Sequence, residues 1–207
     1  MRLILIRHGR TASNVGFLLD TQAPGADLDE LGRQQAEALV ERLDGQPIDA
    51  IFASNLVRTQ QTAAPVAAAL GLTVQVIPGL REVPAGEDEM SPDATRYIGS
   101  MIAWGQGDLL AKVPGGENAL EFIERFDAAI DEVAATGVAS AMVVSHGAAL
   151  RTWAYTRVEG FVEAVGEAHL ENTGIIITEG SPADGWRLIA LDGTKHRHGY
   201  GMDHAGG

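Results

Sequence analysis

The segment LILIRHGRTASN, residues 3–14, joins four aliphatic residues to an arginine, a histidine and a glycine. A short, unbroken apolar run suits a strand buried on both faces of a sheet. Arg7 and His8 stand where that strand stops, and Thr11, Ser13 and Asn14 follow closely. Adjacent cationic or near-cationic side chains repel one another unless an anion lies between them. The stretch therefore reads as a buried strand delivering an anion-binding loop.

The same rhythm continues outward. Residues 29–43 predict a helix, with Leu28, Leu31, Ala36, Leu39, Val40 and Leu43 at helical spacing and Asp29 as its cap. Residues 48–53 form a second apolar strand, 56–70 an Ala-rich helix and 73–77 a third strand. A long helix is expected over 117–135, with Leu120, Ile123, Phe126, Ile130 and Val133 on one side. Residues 141–144 give a fourth strand, and Gly147 opens a helix running to about Val158. Residues 174–178 and 186–191 read as two closing strands. Strands alternating with helices imply an α/β fold, a three-layer α/β/α sandwich around a mainly parallel sheet.

A single domain over 1–207 is expected. Residues 80–115, rich in Pro and Gly and containing Glu87-Asp88-Glu89, form an inserted substrate flap within it. A helix is expected near 93–104. Residues 193–207 read as a flexible tail in which His196, His198 and His204 are incidental rather than a metal site.

Bulk properties narrow the function. The chain has 207 residues, 15 Lys+Arg and 28 Asp+Glu, for a formal charge of −13. Nucleic acid and anionic membrane call for a basic footprint and are not expected partners. The absence of cysteine excludes disulfides, thiolate catalysis and Cys-based zinc sites. The apolar run at residues 3–6 is too short for a signal peptide, so a cytoplasmic location is expected. Nothing in the sequence fixes an oligomeric state.

In parallel sheets, ligands bind beyond the carboxyl ends of the strands. Arg7, His8 and Gly9 follow the first strand; Ser54 and, one turn on, Arg58 follow the second. Arg81 and Glu82 follow the third, and Ser145, His146 and Gly147 the fourth. Phosphoryl transfer wants this set, because charge spreads over three equatorial oxygens and catalysis is mostly positioning and charge stabilisation. Arginine grips phosphate with two donors, a neutral histidine can attack phosphorus, and a second, cationic histidine can donate to its oxygens. A carboxylic acid can protonate the leaving oxygen and later activate water. Ser145 before a helix also suggests a nucleophile elbow, but position 143 is valine where that motif needs glycine.

The segments LIRHGRTASN, SNLVRTQQTA, LRE and VVSHGAALR resemble, in order, the signature segments of the histidine phosphatase superfamily, the phosphoglycerate-mutase-like group of branch 1. LDELGRQQA and PGGENALEFIERF are similar to its secondary motifs, with a weaker echo at LENTGI. The resemblance implies a phosphoglycerate-mutase-like fold and a phosphomonoesterase of histidine acid phosphatase type, acting on a small phosphorylated metabolite. It implies that His8 becomes phosphohistidine, that Arg7, Arg58 and His146 bind the phosphoryl oxygens, and that Glu82 is the proton donor. Asn14, Thr11 and the Gly147 amide are implied as further phosphate contacts. Neither metal nor cofactor is implied.

Two departures stand out. Arg10 occupies a position often held by Glu or Gln, which adds positive charge near the rim or points to solvent. VPAGEDEM after Glu82 lacks the aromatic and tryptophan pattern of many members, so the substrate is not legible. The chain also lacks the extra segments of the glycolytic mutases, which favours phosphatase over mutase. A mutase and a non-catalytic phospholigand-binding module remain the alternatives.

Overall fold

A computed structural model describes residues 1–166 and 168–195. The strands are β1 (Arg2–Arg7), β2 (Ala50–Ala53), β3 (Val74–Val76), β4 (Ser140–Ser145), β5 (Val158–Glu159), β6 (His169–Ser181) and β7 (Gly185–Lys195). The helices are α1 (Ala12–Val15), α2 (Glu30–Arg42), α3 (Val57–Leu70), α4 (Thr95–Gly105), α5 (Ala119–Ala135), α6 (Gly147–Arg157) and α7 (Phe161–Val165). One sheet has the order β3-β2-β4-β1-β6-β7-β5. Pairing is parallel between β3 and β2, β2 and β4, β4 and β1, and β7 and β5, and antiparallel on either side of β6. The expected α/β class and mostly parallel sheet are what the chain adopts.

Side-chain alternation along the strands builds the layers. Leu3, Leu5, Phe52 and Val143 pack on one face with Phe122 and Phe126 of α5 and Trp153 of α6. Ile4, Ile6, Ile51, Met142 and Val144 pack on the other with Leu39 of α2 and Val66 of α3. All four aliphatic residues of β1 are completely buried, as a strand covered on both faces requires. Leu80, Val83, Tyr97, Trp104 and Val113, all from the 80–115 segment, join the first of these clusters.

The register then sets the site. Arg7 of β1 pairs with Ser145 of β4, and Ala53 of β2 with Val144. The three strands therefore end level, and the residues after them share one rim. His8 N–H donates to Ser145 O at 3.0 Å, and Ser54 N–H to Val144 O at 3.2 Å.

Several expectations are corrected. Leu31 and Val40 are exposed, because the buried stripe of α2 runs through Gly32, Ala36 and Leu39. Each lies one residue off that stripe, about 100° around the helix. Leu120 is exposed for the same reason, since α5 buries Ala119, Phe122, Phe126, Ile130 and Val133. The closing strands are longer than expected, and residues 193–195 belong to β7 rather than to a tail. Residues 196–207, with His196, His198 and His204, lie outside the described residues. Among the described residues no helix is long and apolar enough to cross a membrane.

Candidate active site

Gly9 lets the loop after β1 lie against α2, where a Cβ would stand 2.7 Å from Gly32 O. That close approach turns the chain and leaves His8 on the rim, almost wholly buried. His8 Nδ1 lies 2.7 Å from Gly9 O. A carbonyl only accepts, so Nδ1 carries the proton and Nε2 keeps its lone pair.

The His146 ring stands edge-on to His8, with ring centroids 5.2 Å apart. Its Nδ1 is 3.3 Å from Arg58 Nη2, and its Nε2 is 2.8 Å from Ser54 Oγ. A guanidinium only donates, so Nδ1 accepts and Nε2–H donates to the serine. His146 is therefore neutral here, which corrects the expectation of a cationic second histidine. The reason is electrostatic. Burial holds both imidazoles well below their usual value near 6.5, and Arg58 and Arg7 add to the effect. Ser54 Oγ also accepts from Leu56 N–H at 3.2 Å and lies 3.0 Å from Thr59 Oγ1.

Arg58, the second residue of α3, is 3% exposed. Its Nη2 donates to Asp20 O at 2.7 Å, and its Nη1 lies 3.6 Å from Asp20 Oδ1. Among the described residues, Nε and Nη1 find no hydrogen-bond acceptor. Buried donors left without an acceptor cost about 1–3 kcal/mol each, so their presence beside two histidines marks a place for an oxyanion. Burial lowers the Arg58 pKa, while Asp20, Glu82 and Glu89 oppose that loss of charge.

Arg7 Nη1 donates to Leu170 O at 2.6 Å. Its guanidinium lies against the start of α6, where a Cβ on Gly147 would stand 3.1 Å from Arg7 Nε. Glu82 reaches the same helix end. Its Oε1 accepts from Ala149 N–H at 2.7 Å and Val83 N–H at 2.8 Å, and its Oε2 from Ala148 N–H at 3.1 Å. A helix N-terminus is a favourable place for a carboxylate. Two arginines, two histidines and Glu82 thus meet at the ends of β1, β2 and β4 and the turn after β3.

Thr11 and Asn14 form a capping box that opens α1. Asn14 Oδ1 accepts from Thr11 N–H at 3.2 Å and from Asn172 Nδ2 at 3.1 Å. Arg10 points away, with Nε donating to Asp29 Oδ2 at 2.7 Å and its side chain 39% exposed. Its charge already has a partner.

Sequence reading missed three contributors. Asn172 donates to His8 O at 3.0 Å as well as to Asn14. It sits in LENTGI, where polar residues interrupt an apolar strand, and that interruption is the available signal. Arg125 and Glu117 of the PGGENALEFIERF motif carry the Glu82 segment. Arg125 Nη1 donates to Gly79 O at 2.6 Å and Arg81 O at 3.1 Å, while its Nε and Nη2 fork onto Glu117. Arg81 also pairs with Glu117, and Tyr97 Oη donates to Val83 O at 2.9 Å. Ser54 was visible at its strand end, but no role followed from its type alone.

A mostly parallel α/β sheet with paired histidines and arginines level at its strand ends defines a phosphoryl-handling fold. The chain belongs to the histidine phosphatase superfamily (branch 1), whose family profile matches residues 3–192. It is 36% identical to the PE-PGRS family protein PE_PGRS11 of Mycobacterium tuberculosis over 91% of its own length, and spans 36% of that protein. It is 31% identical to the Yersinia pestis protein named "Probable phosphoglycerate mutase GpmB", covering 95% of this chain and 94% of the other. Among solved structures it is similar to a mycobacterial glucosyl-3-phosphoglycerate phosphatase, with a TM-score of 0.77, 28% identity and coverage of 94% and 99%. It is also similar to the alpha-ribazole phosphatase of Shigella flexneri, with a TM-score of 0.73, 26% identity and coverage of 95% and 98%.

Proposed function

We propose that the chain is a phosphomonoesterase that hydrolyses a small phosphorylated metabolite through a phosphohistidine on His8. The observation that carries this reading is the Nδ1–H bond from His8 to Gly9 O, which leaves Nε2 as a nucleophile beside the unpartnered donors of Arg58. Nε2 attacks phosphorus and the ester P–O bond breaks. Arg7 and Arg58 hold the equatorial oxygens. Thr11, Asn14 and Gly147 wall the phosphoryl group, and Arg10, tied to Asp29, lies at the outer rim. His146 donates from Nδ1 once the incoming anion has drawn a proton onto the ring. Glu82, protonated, gives its proton to the leaving oxygen. As carboxylate it then takes a proton from water, whose oxygen attacks phosphorus, breaks the N–P bond and returns His8.

Burial keeps His8 unprotonated below its ordinary titration range. That supports a histidine acid phosphatase type of activity, working on the acidic side of neutrality. The phosphatases among the structural neighbours support hydrolysis. The likeness to GpmB supports phosphoryl transfer between hydroxyls as the second reading.

Brief incubation with a phosphomonoester, quenching in alkali and mass spectrometry should find an acid-labile phosphoryl group on His8, with inorganic phosphate released at steady state. Full activity in His8→Ala would overturn the mechanism. An isomeric ester in place of free phosphate would establish the mutase reading. Binding without turnover across acidic to neutral pH would favour a phospholigand-binding module.

A further inference from the structure

The phosphoryl end of the site is cationic, but its surroundings are not. Asp20 presents its backbone carbonyl and Oδ1 to Arg58. Glu89 reaches from the 80–115 segment to Thr21 N–H at 2.8 Å, Gln22 N–H at 3.0 Å and the Thr21 hydroxyl. Backbone bonds between Leu19 and Ser91, and between Met90 and Leu19, lock the two segments together. Through Thr21 the Glu89 carboxylate is held next to Asp20, the residue that pairs with Arg58.

Three other arginines are bound to carboxylates of their own. Arg10 is bound to Asp29, Arg81 to Glu117 and Arg96 to Asp88. Arg151, one turn into α6, lies over the Tyr155 ring and donates to its hydroxyl. A phosphoryl group entering the site meets Arg7 and Arg58. A second anion on the organic part would meet the carboxylates of Asp20 and Glu89.

We infer that the site selects phosphate monoesters whose organic part carries no second negative charge, and disfavours bisphosphates and phosphorylated acids. This rests on the phosphomonoesterase reading above. Glu89 and Asp20 are the specificity-determining residues. Like charges within about 8 Å of one another in a partly desolvated site are worth about a factor of ten or more in affinity.

Glycerol 3-phosphate and 3-phosphoglycerate test the inference, because they match in size and differ by a hydroxymethyl group against a carboxylate. The expected result is at least about a tenfold preference for glycerol 3-phosphate in kcat/KM, narrowing as salt rises. Glu89→Gln keeps an acceptor for the Thr21 and Gln22 amides while removing the charge. It should narrow the preference by raising the value for 3-phosphoglycerate. Equal or reversed values for the two esters, or a preference unchanged in Glu89→Gln, would overturn the inference. Calorimetric binding of both esters to the His8→Ala variant reads the same ratio without turnover. No hydrolysis of either ester would therefore sink the phosphomonoesterase reading, while the binding ratio would still decide this one.

Discussion

Arg125→Lys separates the holding of Glu82 from the general soundness of the fold. Arg125 is 12% exposed and Glu117 14%. The guanidinium makes three contacts with Glu117, at 2.9, 3.1 and 2.6 Å, and reaches three carbonyls of the acid's turn, those of Gly79, Arg81 and Glu82, at 2.6, 3.1 and 3.4 Å. Lysine keeps the charge but loses the planar fork, so it cannot serve carboxylate and carbonyls together. Each charge-assisted bond is worth about 1.5–3 kcal/mol, and partial replacement by the ammonium should leave a net loss of about 2 kcal/mol. Complete removal in Arg125→Ala leaves Glu117 with Arg81 alone and should cost about 3–5 kcal/mol. The catalytic effect has its own signature. A turn shifted by about 1 Å can cost about 100-fold, and it should do so only where a proton must be delivered. An alkyl phosphate needs that proton; p-nitrophenyl phosphate, with its stable phenolate, does not. Arg125→Lys, like Glu82→Gln, should therefore slow phosphorylation of His8, timed in a single turnover, about 100-fold with the alkyl ester and only a few-fold with the nitrophenyl ester, while hydrolysis of the phosphohistidine, which also uses Glu82, slows alike for both. Urea denaturation measures the stability change alongside. An equal loss of phosphorylation rate on both esters, or lowered stability with normal rates on both, would refute the assignment of Arg125 as a positioning residue.

Three further outcomes follow from the same contacts. Both buried imidazoles have folded-state pKa values well below 6.5, so as pH falls below about 6.5 the unfolded chain binds protons that the folded chain does not. Stability is then lost progressively on acidification, by up to about 1.4 kcal/mol per pH unit per histidine, and His146→Gln should flatten that slope in denaturation series from pH 5 to 7.5. Ser54→Ala strands the His146 Nε2–H, which should cost about 1–3 kcal/mol and raise KM for a phosphoester, read by urea denaturation and steady-state kinetics; unchanged values would reject the tautomer assigned here. Phe122, fully buried between Trp104 and Phe126, should cost about 3–5 kcal/mol as Phe122→Ala by the same denaturation measurement.

The unbroken apolar run from Leu3 to Ile6 made the central strand legible, and the recurrence of Arg-His and Ser-His at strand ends made the rim legible. Both are local patterns that parallel pairing carries into space without change. What escaped reading depends on partners far apart in the chain. Glu117 and Arg125 look like ordinary polar positions of an amphipathic helix until α5 packs against the turn at 79–82. His146 looks like a cation until burial and two guanidinium groups decide otherwise. The stripe on α2 misled because leucine and valine weigh more in a pattern than the Gly32 that allows close packing.

Asn172 escaped for a topological reason. β1, β2 and β4 all arrive at the rim, so their functional residues come just after an apolar run, where a reader looks. β6 is antiparallel to β1 and departs from the rim. Its contribution must precede its regular pairing, and it does so at a register shift between Leu170 and Ile175. Within that bulge Thr173 has φ of +56°, a conformation that is rare for a β-branched residue and costs about 1–3 kcal/mol. Arg42 holds it there, donating to Thr173 O at 3.0 Å and Oγ1 at 3.1 Å. The bulge aims Asn172 Nδ2 and Thr173 N–H together at His8 O. Strain in one strand thus fixes the backbone of the histidine at the end of its neighbour, an arrangement a regular β6 would not supply.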